Sequence, residues 1–179
     1  MKLFREILLI IFSASIIVSC SGSKNLATEE KTTASSSLPC AEKGISDADF
    51  FRACADATSS NIGLAREKAM AEAKSSLGKA IIDKVLTAAK HYIVEENVSD
   101  KDAFVKNIEI VSNKAIDIAL KDISPVCEKY SETNGRYTAY VAVEISRQTI
   151  NDKLKRIIEN DIPNVDMEKF GVLFCGSPK

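Results

Sequence analysis

Cysteine is the residue type in this 179-residue chain best suited to chemistry, and its spacing limits what that chemistry can be. Cys40, Cys54, Cys127 and Cys175 lie far apart, whereas zinc ligands come in close pairs such as C-x-x-C, so no metal site is expected. A free Cys54 or Cys175 could serve as the nucleophile of a redox or hydrolytic enzyme. Such a site also needs a base, an orienting group and an oxyanion donor. The single histidine, His91, falls instead near the end of a helical stretch, where a cation complements the helix dipole. Ser76-Leu77-Gly78-Lys79 has the S-x-x-K spacing that sets a lysine one helical turn from a serine, yet the companion S-D-N and K-T-G patterns are missing, and Lys79 is read as a solvated helix residue. Asp47 and Asp49 alternate as in a calcium loop without its glycine or its closing glutamate, which leaves a turn. No catalytic residue, cofactor or small-molecule substrate is expected from these patterns.

The fifth cysteine has a different setting. Lys2 and Arg5 precede an apolar run over residues 7–18, the order of the charged and apolar regions of a secretory signal. The run is too short to cross a bilayer, which takes about 20 apolar residues. It ends in Ile17-Val18-Ser19-Cys20, a branched apolar residue and a small one before a cysteine, and this looks like a lipobox. A thiol so placed takes a diacylglyceryl group, and cleavage ahead of it exposes an amine that many bacteria acylate. Two or three chains together give stable anchoring where one is marginal. Residues 1–19 are therefore expected to be a signal peptide and Cys20 the lipidated residue, with attachment to a membrane of the bacterial envelope. Ser21, rather than aspartate, follows the cysteine and resembles outer-membrane sorting.

Residues 21–38 are rich in Ser, Thr, Ala, Lys and Glu, with too few large apolar side chains to repay ordering. We read residues 20–45 as the lipidated cysteine with a flexible tether, and residues 46–179 as one domain with a C-terminal tail. The net charge of −1 gives no clustered basic face of the kind nucleic acid requires.

Within that domain, the aromatic and small apolar residues of 49–56 predict a first strand. From Ser59 onward the pattern changes, and Ile62, Ala65, Ala69, Ala73, Leu77, Ile81, Val85, Ala88 and Tyr92 recur at threes and fours in one long alanine-rich helix. Gly63 and Gly78 each cost such a helix about 1 kcal/mol relative to alanine, which predicts a later start or a bend near the second. Ser99, with Asp102 three residues on, predicts a capped second helix that ends near Leu120, its inner face marked by Phe104, Ile108, Val111, Ala115 and Ile118. Pro125 confines residues 123–131 to an edge strand. Asn134-Gly135 tolerates the two positive φ angles of a type I′ turn and predicts a hairpin. Beyond it Tyr137, Ala139, Val141, Val143 and Ile145 alternate with Thr138, Tyr140, Ala142 and Glu144. Ser146 then caps a third helix carrying Ile150, Leu154 and Ile157, which Pro163 stops, and residues 165–175 pack back on the domain.

These elements predict an α+β fold: a small antiparallel sheet of about three strands, with the long helix and two further helices on one face. Cys40 lies just ahead of the first strand and Cys127 in the strand that opens the hairpin, so their pairing is favoured among the three connectivities open to four cysteines. Thr138, Tyr140 and Ala142 would line the sheet face opposite the helices, available to a protein partner or to self-association. The strand, then SSNIGLAREKAMAEAKSSLGKAI, then GRYTAYVAVEIS, together with the lipobox, resembles the Lpp-twenty lipoprotein family, named for a twenty-kilodalton Helicobacter outer-membrane lipoprotein. The closing DMEKFGVLF resembles the tails of such proteins in Bacteroides-type bacteria. The resemblance implies an envelope location and a fold more than a chemistry. Some family members are flagellar outer-membrane components, which implies a place in a flagellar or secretion-associated assembly as one alternative. A non-catalytic interaction or structural module is the leading expectation, and a cysteine-dependent envelope enzyme is the other.

Overall fold

The computed structural model describes residues 38–176; the expected signal peptide, Cys20 and residues 21–37 of the expected tether lie outside them. Strand β1 (Phe50–Ser59) runs three residues past the predicted stretch, with Phe51, Ala53, Ala55 and Ala57 on its inner side. Those alanines leave room for a helix to lie close. Helix α1 (Ile62–Glu96) does so: the Asn61 side chain accepts from the Leu64 N–H at 3.0 Å, and the helix runs unbroken for 35 residues. The helix is not interrupted at Gly78. A β-carbon there would stand 3.5 Å from Leu120 and 3.7 Å from Ile116, at ordinary van der Waals contact, so Gly78 faces the next helix at a position where alanine would also fit. Ala65, Ala69, Ala73, Leu77, Ile81, Val85, Ala88 and Tyr92 form the buried stripe as predicted, while Ile62, on the first turn, is exposed. Asn97 closes the helix at φ 50°, the left-handed conformation that asparagine tolerates better than most residues.

Helix α2 (Lys101–Leu120) is capped by Asp100, which accepts from the Ala103 N–H at 3.0 Å, and not by Ser99. The carboxylate one residue later holds the free amide and also complements the helix dipole. Its buried arc runs through Ile108, Val111, Ser112, Ala115, Ile116 and Leu120. Ile118, assigned to this face from the sequence, is 54 % exposed, because a straight helix drifts by about 20° per seven residues and the arc has turned past it.

β2 (Pro125–Thr133) and β3 (Arg136–Ser146) form the hairpin, with Asn134 at φ 53° and Gly135 at φ 71° between them. The sheet order is β1-β3-β2, antiparallel throughout, so the Pro125 strand is an edge and the alternating strand is central. A register shift between Pro125 and Cys127 makes a bulge at the start of that edge. Ser146 caps α3 (Arg147–Asp161), whose buried residues are Ile150, Leu154 and Ile158; the predicted Ile157 is only partly buried beside them. The tail forms a further helix, α4 (Met167–Cys175), started by the Asp166 carboxylate and sealed by Phe170 and Phe174, both fully buried.

The domain is thus α+β, with helices on one side of a three-stranded sheet. There are three helices besides the long one rather than two, and they are layered. α1 carries the main contact with β1 and β3, α2 and α4 pack on α1, and α3 bridges α2 to α4.

Candidate functional site

The sheet face away from the helices holds most of the residues that the sequence marked for interaction. The register places Ala142 between Cys54 and Cys127, Tyr140 between Asp56 and Lys129, and Thr138 between Thr58 and Ser131. Thr138 and Tyr140 are half-buried, but Ala142 is fully buried and is not part of an available surface. What covers it is the chain just ahead of β1. Cys40 is bonded to Cys127 with an S–S distance of 2.09 Å and a Cα separation of 5.6 Å. A 3₁₀ turn over Ala41–Gly44 follows, and its Gly44 packs on Cys54, where a β-carbon would come within 2.6 Å of Sγ. Residues 40–45, assigned to the tether from the sequence, therefore belong to the domain, as a strap across the sheet.

Beyond Gly44 the strap turns along the free edge of β1. Ser46 Oγ accepts from the Arg52 N–H at 2.8 Å and donates to the Arg52 carbonyl at 3.1 Å. The Asp47 carboxylate accepts from the N–H groups of Asp49 and Phe50 at 2.9 and 2.8 Å, and the Asp47 N–H donates to the Phe50 carbonyl. The Phe50 and Arg52 groups point away from β3, so the strap satisfies polar edge atoms that would otherwise invite another strand. Arg52 ties the arrangement together, pairing with Asp47 and, at 2.6 Å, with Glu144. Arg147 donates to the Asp47 carbonyl at 2.9 Å.

The Arg52 guanidinium, helped by the Phe50 and Asp49 amides, holds the Asp47 carboxyl down at about 2 against an ordinary 3.8. A depressed carboxylate stabilises above its ordinary value and loses that effect as pH falls through the folded one. Acidification from about pH 4 to pH 2 should therefore loosen residues 44–47 from β1, read as lost amide protection at Phe50 and Arg52. In Asp47→Asn that loss should not depend on pH, and an Asp47 titration midpoint near 3.8 in the unsubstituted chain would contradict the geometry.

The part of the face left open is polar. Thr58 and Thr138 share a hydrogen bond at 2.8 Å, and the Tyr140 hydroxyl lies 3.5 Å from Ser131 Oγ, with Asp56 and Lys129 beside them. The other candidates do not assemble into chemistry. His91 is exposed near the end of α1. Lys79 is exposed in an open groove of about 630 Å³ between α1 and α2 that Asp83 and Asp117 also line, and among the described residues it has no hydrogen bond to Ser76. Asp47 and Asp49 form the turn into β1. Cys54 is a free, exposed thiol; Cys175 is free and half-buried beside a groove of about 750 Å³ between α3 and α4, and burial pushes its thiol up. Among the described residues no three His, Cys, Asp or Glu side chains gather closely enough to hold an ion.

The strap is the element that sequence reasoning missed. Its signals were Cys40 so close to a strand and an Asp47-Ala48-Asp49 turn set to receive backbone amides, but neither gives the direction in which the chain crosses the sheet. Fold and site together define an α+β domain with a disulfide-held N-terminal strap. Comparison with known proteins adds no relative: no protein-family model, no curated protein and no solved structure matches this chain.

Proposed function

We propose that the chain is a lipid-anchored lipoprotein of the bacterial envelope, outer-membrane directed, whose domain is a non-catalytic interaction or structural module. The observation that carries this is the sequence Ile17-Val18-Ser19-Cys20 at the end of a short apolar run with Lys2 and Arg5 ahead of it. The Cys40–Cys127 bond supports it, since such bonds persist in oxidising compartments. The resemblance to the Lpp-twenty family agrees with that location. No helix among the described residues is long and apolar enough to cross a membrane, and lipid on Cys20 is the means of attachment.

The partner surface is the uncovered half of the outer face, Thr138 and Tyr140 with Asp56, Thr58, Lys129 and Ser131, and the partner is a protein or a second copy of the chain. A tyrosine amid hydroxyls and one charge of each sign suits a polar contact with an aromatic anchor. Expression with labelled palmitate should give a labelled, membrane-partitioning product, and Cys20→Ala should abolish both properties. A Cys20→Ala chain that is still processed and membrane-bound, with no label on the unsubstituted chain, would remove the reading. For the surface, Tyr140→Ala should change oligomer size or the set of co-purifying envelope proteins without altering the fold.

A further inference from the structure

Three cysteines lie together on the outer face of the sheet. Cys54 on β1 and Cys127 on β2 are both partners of Ala142 on β3, so their Cα atoms stand two strand spacings, about 10 Å, apart, with only a methyl group between them. Cys40 is bonded to Cys127, and its Sγ lies 3.7 Å from the Tyr140 carbonyl oxygen, over the central strand. The far end of the strap already meets that thiol, because Gly44 packs on Cys54. Accessibility is divided between the members: Cys40 is only 7 % exposed and Cys127 is half-buried, whereas Cys54 is free and exposed. Of the three, Cys54 is therefore the most open to a reagent in solution and Cys40 the least.

We propose that Cys54 exchanges with the Cys40–Cys127 disulfide, so that the strap is a latch with two covalent positions. The Cys54 thiolate attacks Cys40 Sγ, the Cys40–Cys54 bond forms as the Cys40–Cys127 bond breaks, and Cys127 leaves as a thiolate that takes up the proton Cys54 gave up. One disulfide and one thiol stand on each side of the step, so it needs no external oxidant or reductant. The strap must slide toward β1 to bring the cysteine backbones within bonding range. Its turn over Ala41–Gly44 contains no buried residue of its own, so what the slide disturbs is the cover over Ala142 and the contact of Gly44 with Cys54. Exchange moves the tie from the hairpin edge to β1 and frees Cys127 beside the bulge. It depends on the described domain alone and not on the lipid anchor.

In the full-length chain carrying Cys127→Ala, oxidised glutathione should produce an intramolecular Cys40–Cys54 disulfide in most molecules, seen by peptide mapping without reduction after an acid quench. Cys54→Ala should slow reduction of the native Cys40–Cys127 bond by dithiothreitol about tenfold at an unchanged thermal midpoint, because the route through the more exposed Cys54 sulfur of the exchanged bond is lost. A Cys127→Ala chain that carries Cys40 and Cys54 only as separate glutathione adducts overturns the proposal. So does a Cys54→Ala chain reduced as fast as the unsubstituted one. Since Cys54 is exposed, its truncation keeps the fold and the test stands even where Cys127→Ala fails to fold.

Discussion

Phe170→Ala should lower the free energy of unfolding by about 3–5 kcal/mol, the range for removing a fully buried aromatic ring. The side chain is 0 % exposed, and its ring centroid lies 5.9 Å from that of Tyr92, which in turn stacks on Phe104 at 5.6 Å. Tyr92 also accepts, through its hydroxyl, the Asp166 N–H at 2.8 Å, immediately ahead of α4. One ring thus joins the last helix to the far end of the long one, and the cavity left by alanine would be bordered by groups that a hydrogen bond and a stack hold in place. Denaturant unfolding followed by circular dichroism measures the effect. Val172→Ala on the same helix is the control: Val172 is 43 % exposed, and its truncation should cost under about 1 kcal/mol. Equal effects at the two positions would mean that α4 is not docked through Phe170.

Replacing both bonded cysteines, Cys40→Ser with Cys127→Ser, should cost about 4–5 kcal/mol on the chain-entropy account, for a bridge spanning 87 residues of sequence. The loss should also be local in character. Residues 40–47 hold the sheet through the bridge, Ser46 and Asp47, so amide protection at Phe50 and Arg52 should fall to that of an open edge, while the buried stripe of α1 loses only what the lower global stability removes. An unchanged midpoint in the double variant, relative to the oxidised parent, would mean that the bridge does not constrain the unfolded chain in solution.

Much of the fold was legible because it is written in local periods. Ala65 to Tyr92 repeat at helical spacing because a single helix covers the sheet, and Ala139 to Ile145 alternate because a central strand has one face in the core. Asn134-Gly135 announces its turn through the φ angles it tolerates. What was not legible depends on partners remote in sequence. Ala142 sits in the alternation as an outward residue, and it does point outward; a segment about a hundred residues earlier covers it, and nothing near Ala142 encodes that. The strap is polar and short, so its composition reads as linker, and its hold comes from side chain to backbone bonds and one bridge rather than from an apolar face. Ile158 displaced Ile157, and Asp100 displaced Ser99, by a single position each, the scale on which tertiary packing chooses among neighbours that local pattern treats alike. The open half of the site, Thr138 and Tyr140, was found from strand alternation alone; its companions Asp56, Thr58, Lys129 and Ser131 required the register of both neighbouring strands.

The position of Cys40 also settles how the domain bears mechanical load. Tension entering through the N-terminal chain at Leu38 meets a covalent junction two residues later, and that junction lies on β2, at the edge opposite β1. Without it, a pull would run straight into the first strand, an edge, and peel its ladder from β3 one hydrogen bond at a time. With it, the force passes into the hairpin, and β1 is spared the pull.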